Sequence, residues 1–188
     1  MIKLNARINI CIILVLILYA FSPVSGQKNK DDNMLGKAGM YKAKKSALEY
    51  LTDESVVKKF GSISDSIWSF AELGMQEFRS SAILIRALEE EGFTVEKGVA
   101  GMPTCFVATW GSGKPVIGFL GEFDALPMIS QKALTPVKSP IVEGAPGHGC
   151  GHNMMGTAAV AAIIAVKRSM EQNNVPGTIK FFGSPAEE

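Results

Sequence analysis

The segment from 115 to 184 constrains the fold more than any other part of the 188-residue chain. It contains the nearly continuous apolar run PVIGFLGEF at 115–123, a run of mostly small apolar residues at 153–172, and GTIKFFGS at 177–184. The outer runs are short and rich in β-branched and aromatic residues, which predicts strands, whereas the middle run has the length of a helix. Strands separated by a long helix are typical of an α/β domain, and a continuous apolar strand is expected to be covered on both faces.

Helices are also predicted earlier in the chain. Apolar residues at spacings of three and four predict helical structure from Tyr41 to Glu72, in one or two helices, and a further helix from Glu77 to Glu91. Gly92 is expected to end that helix. For the long helix at 153–172, Asn153 is the predicted N-cap residue because its side chain can accept a backbone hydrogen bond.

Two further strands complete the predicted sheet. FTVEKG at 93–98 and TCFVATW at 104–110 are short, rich in β-branched and aromatic residues, and bounded by Gly or Pro. We therefore predict an α/β fold, a three-layer sandwich with a central mixed sheet between helices, with residues 41–188 belonging to one domain. Cys105 lies within the second of these runs and is expected to be buried in the core.

The first 26 residues differ from the rest. Lys3 and Arg7 precede the apolar run Ile8–Phe21, and small residues follow it. This pattern predicts a signal peptide at 1–26, followed by a polar leader at 27–40, and therefore a protein exported to the periplasm or the extracellular space. The run is shorter than the ~20 residues of a membrane-spanning helix, although an uncleaved N-terminal anchor is the alternative. After cleavage no membrane association is expected.

Charge and cysteine content exclude some partners. Nineteen basic and 18 acidic residues give a formal net charge of +1, so no nucleic-acid partner is expected. Beyond the predicted signal the chain keeps Cys105 and Cys150, which could form one disulfide in an oxidising compartment.

Polar residues cluster where predicted strands end. Glu122 and Asp124 follow the strand at 115–123, GHGCGH at 147–152 precedes the long helix, and PAEE at 185–188 follows the last strand. Ligands of open α/β sheets bind outside the carboxyl ends of the strands. Thiolate, imidazole and carboxylate groups are the ligands of zinc and similar divalent ions, so the sequence predicts a metal site at this edge. Each motif alone could equally be a turn or a solvated pair of acids.

Spacing suggests how the groups divide their roles. Cys150 and His152 are two residues apart, so in an extended segment both side chains point the same way. Glu187 and Glu188 are adjacent and would face opposite sides. One could then bind a metal while the other, facing the substrate, serves as a general base.

The segments GKPVIGFLGEFDALP, PGHGCGHNMMGTAAVAAIIAVK and GTIKFFGSPAEE resemble the metallo-amidohydrolase and carboxypeptidase family of aminoacylases, glutamate carboxypeptidases and auxin-conjugate hydrolases. The resemblance extends from about Ser62 to Glu188. It implies a catalytic domain with two divalent metal ions, zinc or manganese, which hydrolyses the amide of small N-acyl or aroyl amino acids such as p-aminobenzoyl-glutamate. It also implies a homodimer or hetero-oligomer when the enzyme is complete.

The resemblance further implies residue roles. Cys150, His152 and Glu188 match metal ligands, Glu187 matches the general base, and Asp124 matches the acid that orients the metal site.

Three departures from the family pattern bear on function. His148 has no ligand role in the resemblance, and we interpret it as a packing or supporting residue. The peptidase branch has His-x-Asp where this chain has Glu122-Phe123-Asp124, which favours amide conjugates over peptides and leaves the role of Glu122 open. The family's remaining ligands lie beyond the position of Glu188, so we expect an N-terminal part of a larger enzyme that is inactive alone. A thiol hydrolase using Cys150 and a non-catalytic metal-binding module are the alternatives.

Overall fold

A computed structural model describes residues 36–188. The helices are α1 (Lys37–Thr52), α2 (Glu54–Phe70), α3 (Phe78–Glu90) and α4 (His152–Asn173), and the strands are β1 (Thr94–Lys97), β2 (Phe106–Ser112), β3 (Val116–Glu122) and β4 (Gly177–Ser184), with a 3₁₀ turn at Val99–Gly101. The predicted signal peptide at 1–26 and residues 27–35 of the predicted leader lie outside the described residues. None of the helices in the described part is long and apolar enough to cross a membrane.

The first helical region consists of two helices separated at Asp53. The Asp53 carboxylate accepts the backbone N–H groups of Ser55 at 2.9 Å and Val56 at 3.4 Å, which caps the N-terminus of α2. Helix α1 begins at Lys37, before the predicted start at Tyr41, so it includes the last residues of the predicted polar leader. The helical periodicity therefore located the helices well and their ends less well.

The predicted N-cap of the long helix is wrong. Helix α4 begins at His152, and the residue before it is Gly151, whose φ of 88° is in the left-handed region that favours glycine. Asn153 lies inside the first turn and its amide donates to the Ser64 hydroxyl of α2 at 3.1 Å. This side chain therefore ties α4 to α2 and does not cap its own helix.

The four strands form one mixed sheet in the order β1-β2-β4-β3. Strands β1 and β2 are antiparallel, as are β2 and β4, whereas β3 and β4 are parallel. Helix α4 connects the two parallel strands, as such a crossover requires. The predicted α/β fold with a mixed sheet is confirmed, and the parallel register, in which Glu122 pairs with Ser184, brings the ends of β3 and β4 to the same edge.

Helices cover one face of this sheet. Ile179 and Phe181 of β4 belong to the buried core together with residues of α2, α3 and α4, and the Phe181 ring stacks on Phe106 at 5.7 Å between centroids. On the opposite face, Leu120 of β3 is 60% exposed and Phe182 of β4 is 42% exposed. Residues 36–188 thus supply two of the three predicted layers. The prediction that β3 is covered on both faces is wrong for this part of the chain, where β3 is an edge strand.

Neither cysteine of the described region forms a disulfide. Cys105 lies immediately before β2 and is only partly buried, outside the core cluster. Its predicted burial in the core is therefore wrong. Strand β2 begins at Phe106, the residue after Cys105, and Phe106 takes the core position. Cys150 is exposed.

Candidate metal centre

Three segments meet at the edge of the sheet where β3 and β4 end. Glu122 is the last residue of β3, Asp124 follows it, and Glu187 and Glu188 follow β4. His152 is the first residue of α4. Because the left-handed Gly151 turns the chain between Cys150 and His152, the two side chains are not brought together by an extended segment, as the spacing had suggested.

The His152 imidazole is the centre of this arrangement. It is 1% exposed, and its Nδ1 lies 2.8 Å from Oδ1 of the equally buried Asp124. An Nδ1–H that donates to this carboxylate leaves the lone pair on Nε2 free to bind a metal ion. The other oxygen of Asp124 accepts the backbone N–H of Glu188 at 3.0 Å. Asp124 therefore fixes both the imidazole and the backbone of a neighbouring acid.

Three carboxylates surround the free ring nitrogen. The distances from His152 Nε2 are 3.3 Å to Glu122 Oε2, 3.7 Å to Glu187 Oε2 and 3.9 Å to Glu188 Oε1. Carboxylates gathered so closely repel one another, and a cation among them relieves that repulsion. These acids, gathered around one nitrogen, offer several ligand atoms to a divalent ion.

The groups divide into two sets that share His152. Cys150, His152 and Glu188 form one set, and Glu122, His152 and Glu187 form the other; within each set one ligand atom per residue lies within 4.8 Å of the others. The first set offers sulfur, nitrogen and oxygen, the ligands that zinc takes in proteins. Since Asp124 occupies Nδ1, His152 has one nitrogen to offer and can serve one ion at a time. The residues present therefore fit a divalent metal, most completely in the first set.

Comparison with known proteins agrees with this chemistry. Residues 118–188 match the model of peptidase family M20/M25/M40. Over these residues the chain is therefore similar to the peptidases of this family. A solved dinuclear metal binding peptidase of the M20 family from Bacillus subtilis superposes on this chain with a TM-score of 0.57 and 26% identity, covering 72% of this chain and 37% of that one.

Two curated relatives extend the comparison. A subunit of the p-aminobenzoyl-glutamate hydrolase of Escherichia coli K12 is 47% identical over 131 residues, which cover 70% of this chain and 27% of that protein. The Xaa-Arg dipeptidase of Mus musculus is 31% identical over 147 residues, which cover 72% of this chain and 30% of that protein. The chain therefore spans less than a third of the length of these hydrolases.

The structure brings together all five predicted site residues, but the two terminal glutamates are arranged differently from the prediction. They were expected to face opposite sides of an extended segment. Instead both carboxylates lie within 3.9 Å of the same nitrogen, and Ala186 before them has a left-handed φ of 55°. They differ in exposure, since the Glu187 side chain is 51% exposed and that of Glu188 is 18% exposed.

Glu122 is the site residue that sequence reasoning left without a role. The structure places its carboxylate closest of the three to His152 Nε2 and in the second ligand set. One signal was present in the sequence, because residues two apart at a strand end point to the same side. Glu122 and Asp124 satisfy that spacing.

His148 lies outside both ligand sets. Its Nε2–H donates to the backbone carbonyl of Ile67 in α2 at 3.1 Å, and its buried Nδ1 has no hydrogen-bond partner among the described residues. Burial lowers the pKa of His148, so the ring is held neutral. Its contact with α2 agrees with the interpretation of a packing residue.

The thiol of Cys150 is in an acidic environment. A hydrogen bond to the Glu188 carboxylate is the main cause that raises the pKa of Cys150, and the charges of Glu187 and Glu122 add to it. Without a cation the thiol therefore stays protonated at neutral pH. A divalent ion bound beside it has the opposite effect, because coordination deprotonates a thiol.

Proposed function

We propose that the whole protein is a metal-dependent amidohydrolase that cleaves the amide of an N-acyl or aroyl amino acid such as p-aminobenzoyl-glutamate. The single observation that carries the metal requirement is the gathering of three carboxylates around Nε2 of His152. The substrate class is supported by the 47% identity to the p-aminobenzoyl-glutamate hydrolase chain of Escherichia coli. Since the chain spans 27% of that relative, the reaction is proposed for the whole protein.

Cys150, His152 and Glu188 would hold one divalent ion, zinc or manganese, and Glu122 would contribute to a second. Such an ion supplies Lewis-acid polarisation of the scissile carbonyl and makes water more acidic. Asp124 keeps the imidazole in the tautomer whose Nε2 is free, through the 2.8 Å contact with Nδ1. It simultaneously holds the backbone of Glu188 in place.

Glu187 is the proposed general base. Of the two terminal glutamates it is the more exposed, so its Oε2 can meet both water and a substrate that enters from solvent. In this role it takes a proton from the attacking water and passes it to the leaving amine nitrogen. Glu187 also belongs to the second ligand set. A metal titration of the glutamine variants separates the role of general base from the role of metal ligand.

The described residues alone do not complete two metal sites. Each ion takes about four ligands, whereas the two sets contain five different residues and share one imidazole. Water, substrate or groups outside residues 36–188 would fill the remaining positions. We therefore propose that the 188-residue chain by itself binds metal but does not hydrolyse the substrate.

A thiol hydrolase is the less favoured candidate. It needs a Cys150 thiolate, and the neighbouring carboxylates raise the pKa of this thiol. Such an enzyme would be inactivated by alkylation and indifferent to chelators, whereas the proposed enzyme is stopped by chelators. A non-catalytic metal-binding module would bind metal and cleave nothing in the whole protein.

Export and assembly are proposed as well. The charged residues Lys3 and Arg7 before the apolar run Ile8–Phe21 support a cleaved signal and a periplasmic or extracellular location. N-terminal sequencing of the expressed product should give a start near Gln27, and a membrane-bound product that retains Met1 would contradict export with cleavage. An oligomer is supported by the Escherichia coli relative, which is one subunit of its enzyme.

The decisive experiment compares Glu187→Gln with Glu188→Gln in the whole protein across a metal titration. Glu187→Gln keeps the shape but cannot accept a proton, so kcat should fall by about 10²–10⁴ with metal affinity retained. Glu188→Gln should lose metal affinity and recover activity at high metal concentration. The measured quantity is release of glutamate from p-aminobenzoyl-glutamate.

Two matched cysteine variants test the metal site without relying on activity. Cys150→Ser should remove most of the bound metal, whereas Cys105→Ser, at the partly buried cysteine outside both sets, should keep it. Elemental analysis of the purified 188-residue chain decides. Equal metal content in the two cysteine variants would reject the assignment of Cys150 as a ligand. In the glutamate titration, recovery of activity by added metal in Glu187→Gln but not in Glu188→Gln would exchange the roles of the two glutamates.

A further inference from the structure

The loop between α2 and α3, residues 71–77, contains a buried carboxylate that belongs to neither ligand set. Glu77 is 0% exposed and stands immediately before the first turn of α3. A carboxylate removed from water in this way needs hydrogen-bond donors. Its Oε2 accepts the hydroxyl of Thr104 at 2.7 Å, and its Oε1 accepts the backbone N–H of Ala186 at 2.9 Å.

The second of these contacts reaches the segment that carries the site acids. Ala186 is the residue before Glu187, and its φ of 55° lies in the left-handed region, which is unfavourable for a residue with a side chain. With Ala186 in this conformation, both terminal carboxylates lie near Nε2 of His152. A conformation with such a cost persists only where its surroundings hold it.

The backbone of the same loop also lies close to Ala186 at Gly74. A Cβ added to Gly74 would lie 2.7 Å from the Cβ of Ala186 and 2.9 Å from its Cα. The loop backbone therefore approaches Ala186 on one side while the Glu77 carboxylate holds its N–H group. Both contacts oppose a return to the extended conformation.

Two buried carboxylates thus hold the backbone on either side of Glu187. Asp124 accepts the N–H of Glu188, and Glu77 accepts the N–H of Ala186. Asp124 also contacts the His152 ring, whereas Glu77 contacts only the backbone of Ala186 and the Thr104 side chain.

We propose that Glu77 is a positioning residue: its carboxylate holds the backbone of Ala186 in the conformation that presents Glu187 and Glu188 to the metal. The inference rests on the proposed function in so far as those two carboxylates serve a metal ion. The hold on Ala186 itself can be measured without any metal.

Three variants separate the two hydrogen bonds. Glu77→Leu removes both. Glu77→Gln keeps an acceptor for the Ala186 N–H, while its amide can donate to the Thr104 hydroxyl. Thr104→Val is the matched control, because it removes only the bond that does not involve Ala186.

The first measurement is the amide hydrogen exchange of Ala186 by NMR, on the metal-free 188-residue chain. We expect exchange at Ala186 to be about tenfold faster in Glu77→Leu, the ratio that corresponds to one lost hydrogen bond. Glu77→Gln and Thr104→Val should stay within about threefold of wild type, as should the Phe181 amide in β4 in every variant. Unchanged exchange at Ala186 in a folded Glu77→Leu chain overturns the proposal. If that chain does not fold, Glu77→Asp takes its place, because the shorter side chain cannot reach both donors.

The second measurement is the affinity for Co²⁺, followed through the charge-transfer band of the Cys150 thiolate. Loss of a residue that orients ligands costs about 10–100-fold in metal affinity, so Glu77→Leu should bind Co²⁺ that much more weakly. Glu77→Gln and Thr104→Val should bind Co²⁺ as wild type does. Faster exchange without weaker binding would overturn the positioning role. Absence of Co²⁺ binding in wild type would reject the proposed function, and the exchange data would then decide the hold on Ala186 alone.

Discussion

The helix-covered face of the sheet and the edge where β3 and β4 end are built on opposite principles. On the covered face, Phe106, Ile179 and Phe181 are buried among apolar neighbours. At the edge, the carboxylates of Glu122 and Glu188 gather around one imidazole. Each apolar contact on the covered face stabilises the folded state, whereas the like charges gathered at the edge destabilise it.

This difference indicates that the covered face supplies the stability of the chain, whereas the edge carries the groups suited to chemistry. Sites arranged for function often reduce the stability of the protein that carries them. In this chain the covered face must stabilise the fold without help from the edge when no metal is bound. Metal should therefore act as a second, separable source of stability.

Phe181→Ala should have the largest effect on folding. Removing a buried phenylalanine from a core costs about 3–5 kcal/mol, and the Phe181 side chain is fully buried. Phe182→Ala on the uncovered face is the matched control and should cost less than about 1 kcal/mol. Urea unfolding of the metal-free chain measures both, and equal losses would mean that the two faces do not differ as described.

Metal should add stability independently of the covered face. A ligand that binds only the folded state adds about 2.7 kcal/mol at a concentration 100 times its Kd. We expect this increment for Zn²⁺ or Mn²⁺ in wild type and equally in Phe181→Ala. The comparison of unfolding curves with and without metal tests it, and Cys150→Ser should show no increment. An increment that survives in Cys150→Ser would place the metal elsewhere.

Asp124→Asn should remove part of that metal increment. Asparagine offers one acceptor oxygen where Asp124 serves both the His152 ring and the Glu188 N–H. A loss of about 10–100-fold in metal affinity is expected for a group that orients ligands. Calorimetric titration of the metal measures it, with the exposed Asp65→Asn as control. Equal affinities in the two variants would show that Asp124 does not orient the ligands.

Local sequence patterns predicted the parts of this molecule that local chemistry determines. The periodicity of apolar residues located the helices, and the alternation of strands and a long helix predicted the mixed α/β sheet. The candidate site residues were predicted because thiol, imidazole and carboxylates at strand ends carry a recognisable ligand pattern and resemble a known family.

What sequence could not predict depends on contacts distant along the chain. The bond from Glu77 to Ala186 joins residues 109 apart, and nothing in the residues around Glu77 distinguishes it from a solvated acid. Glu187 and Glu188 follow the left-handed Ala186, a conformation rare enough outside glycine that no pattern predicts it. Asn153 failed as a cap because α4 begins one residue earlier, after the left-handed Gly151, which places Asn153 inside the first turn.

The smallest expected effect concerns the loop that joins the covered face to the edge. The Glu72 carboxylate accepts the N–H groups of Arg79 at 3.1 Å and Ser80 at 2.8 Å and so caps α3, while its backbone carbonyl accepts the N–H of Ala125 beside the site. Burial raises the pKa of Glu72, but the hydrogen bonds from Ser80 and Arg79 outweigh it, so the pKa is lowered overall.

A carboxyl with a lowered folded-state pKa contributes stability above its unfolded pKa of about 4.3 and loses it as the pH falls through the folded value. Glu72→Gln should therefore cost about 1 kcal/mol at pH 7, the usual worth of a helix cap, and the difference from wild type should shrink toward zero in acid. Urea unfolding from pH 7 to pH 3, with the exposed Glu96→Gln as control, checks the sign. A difference that grows as the pH falls would mean that the loop is held by something other than the ionised carboxylate.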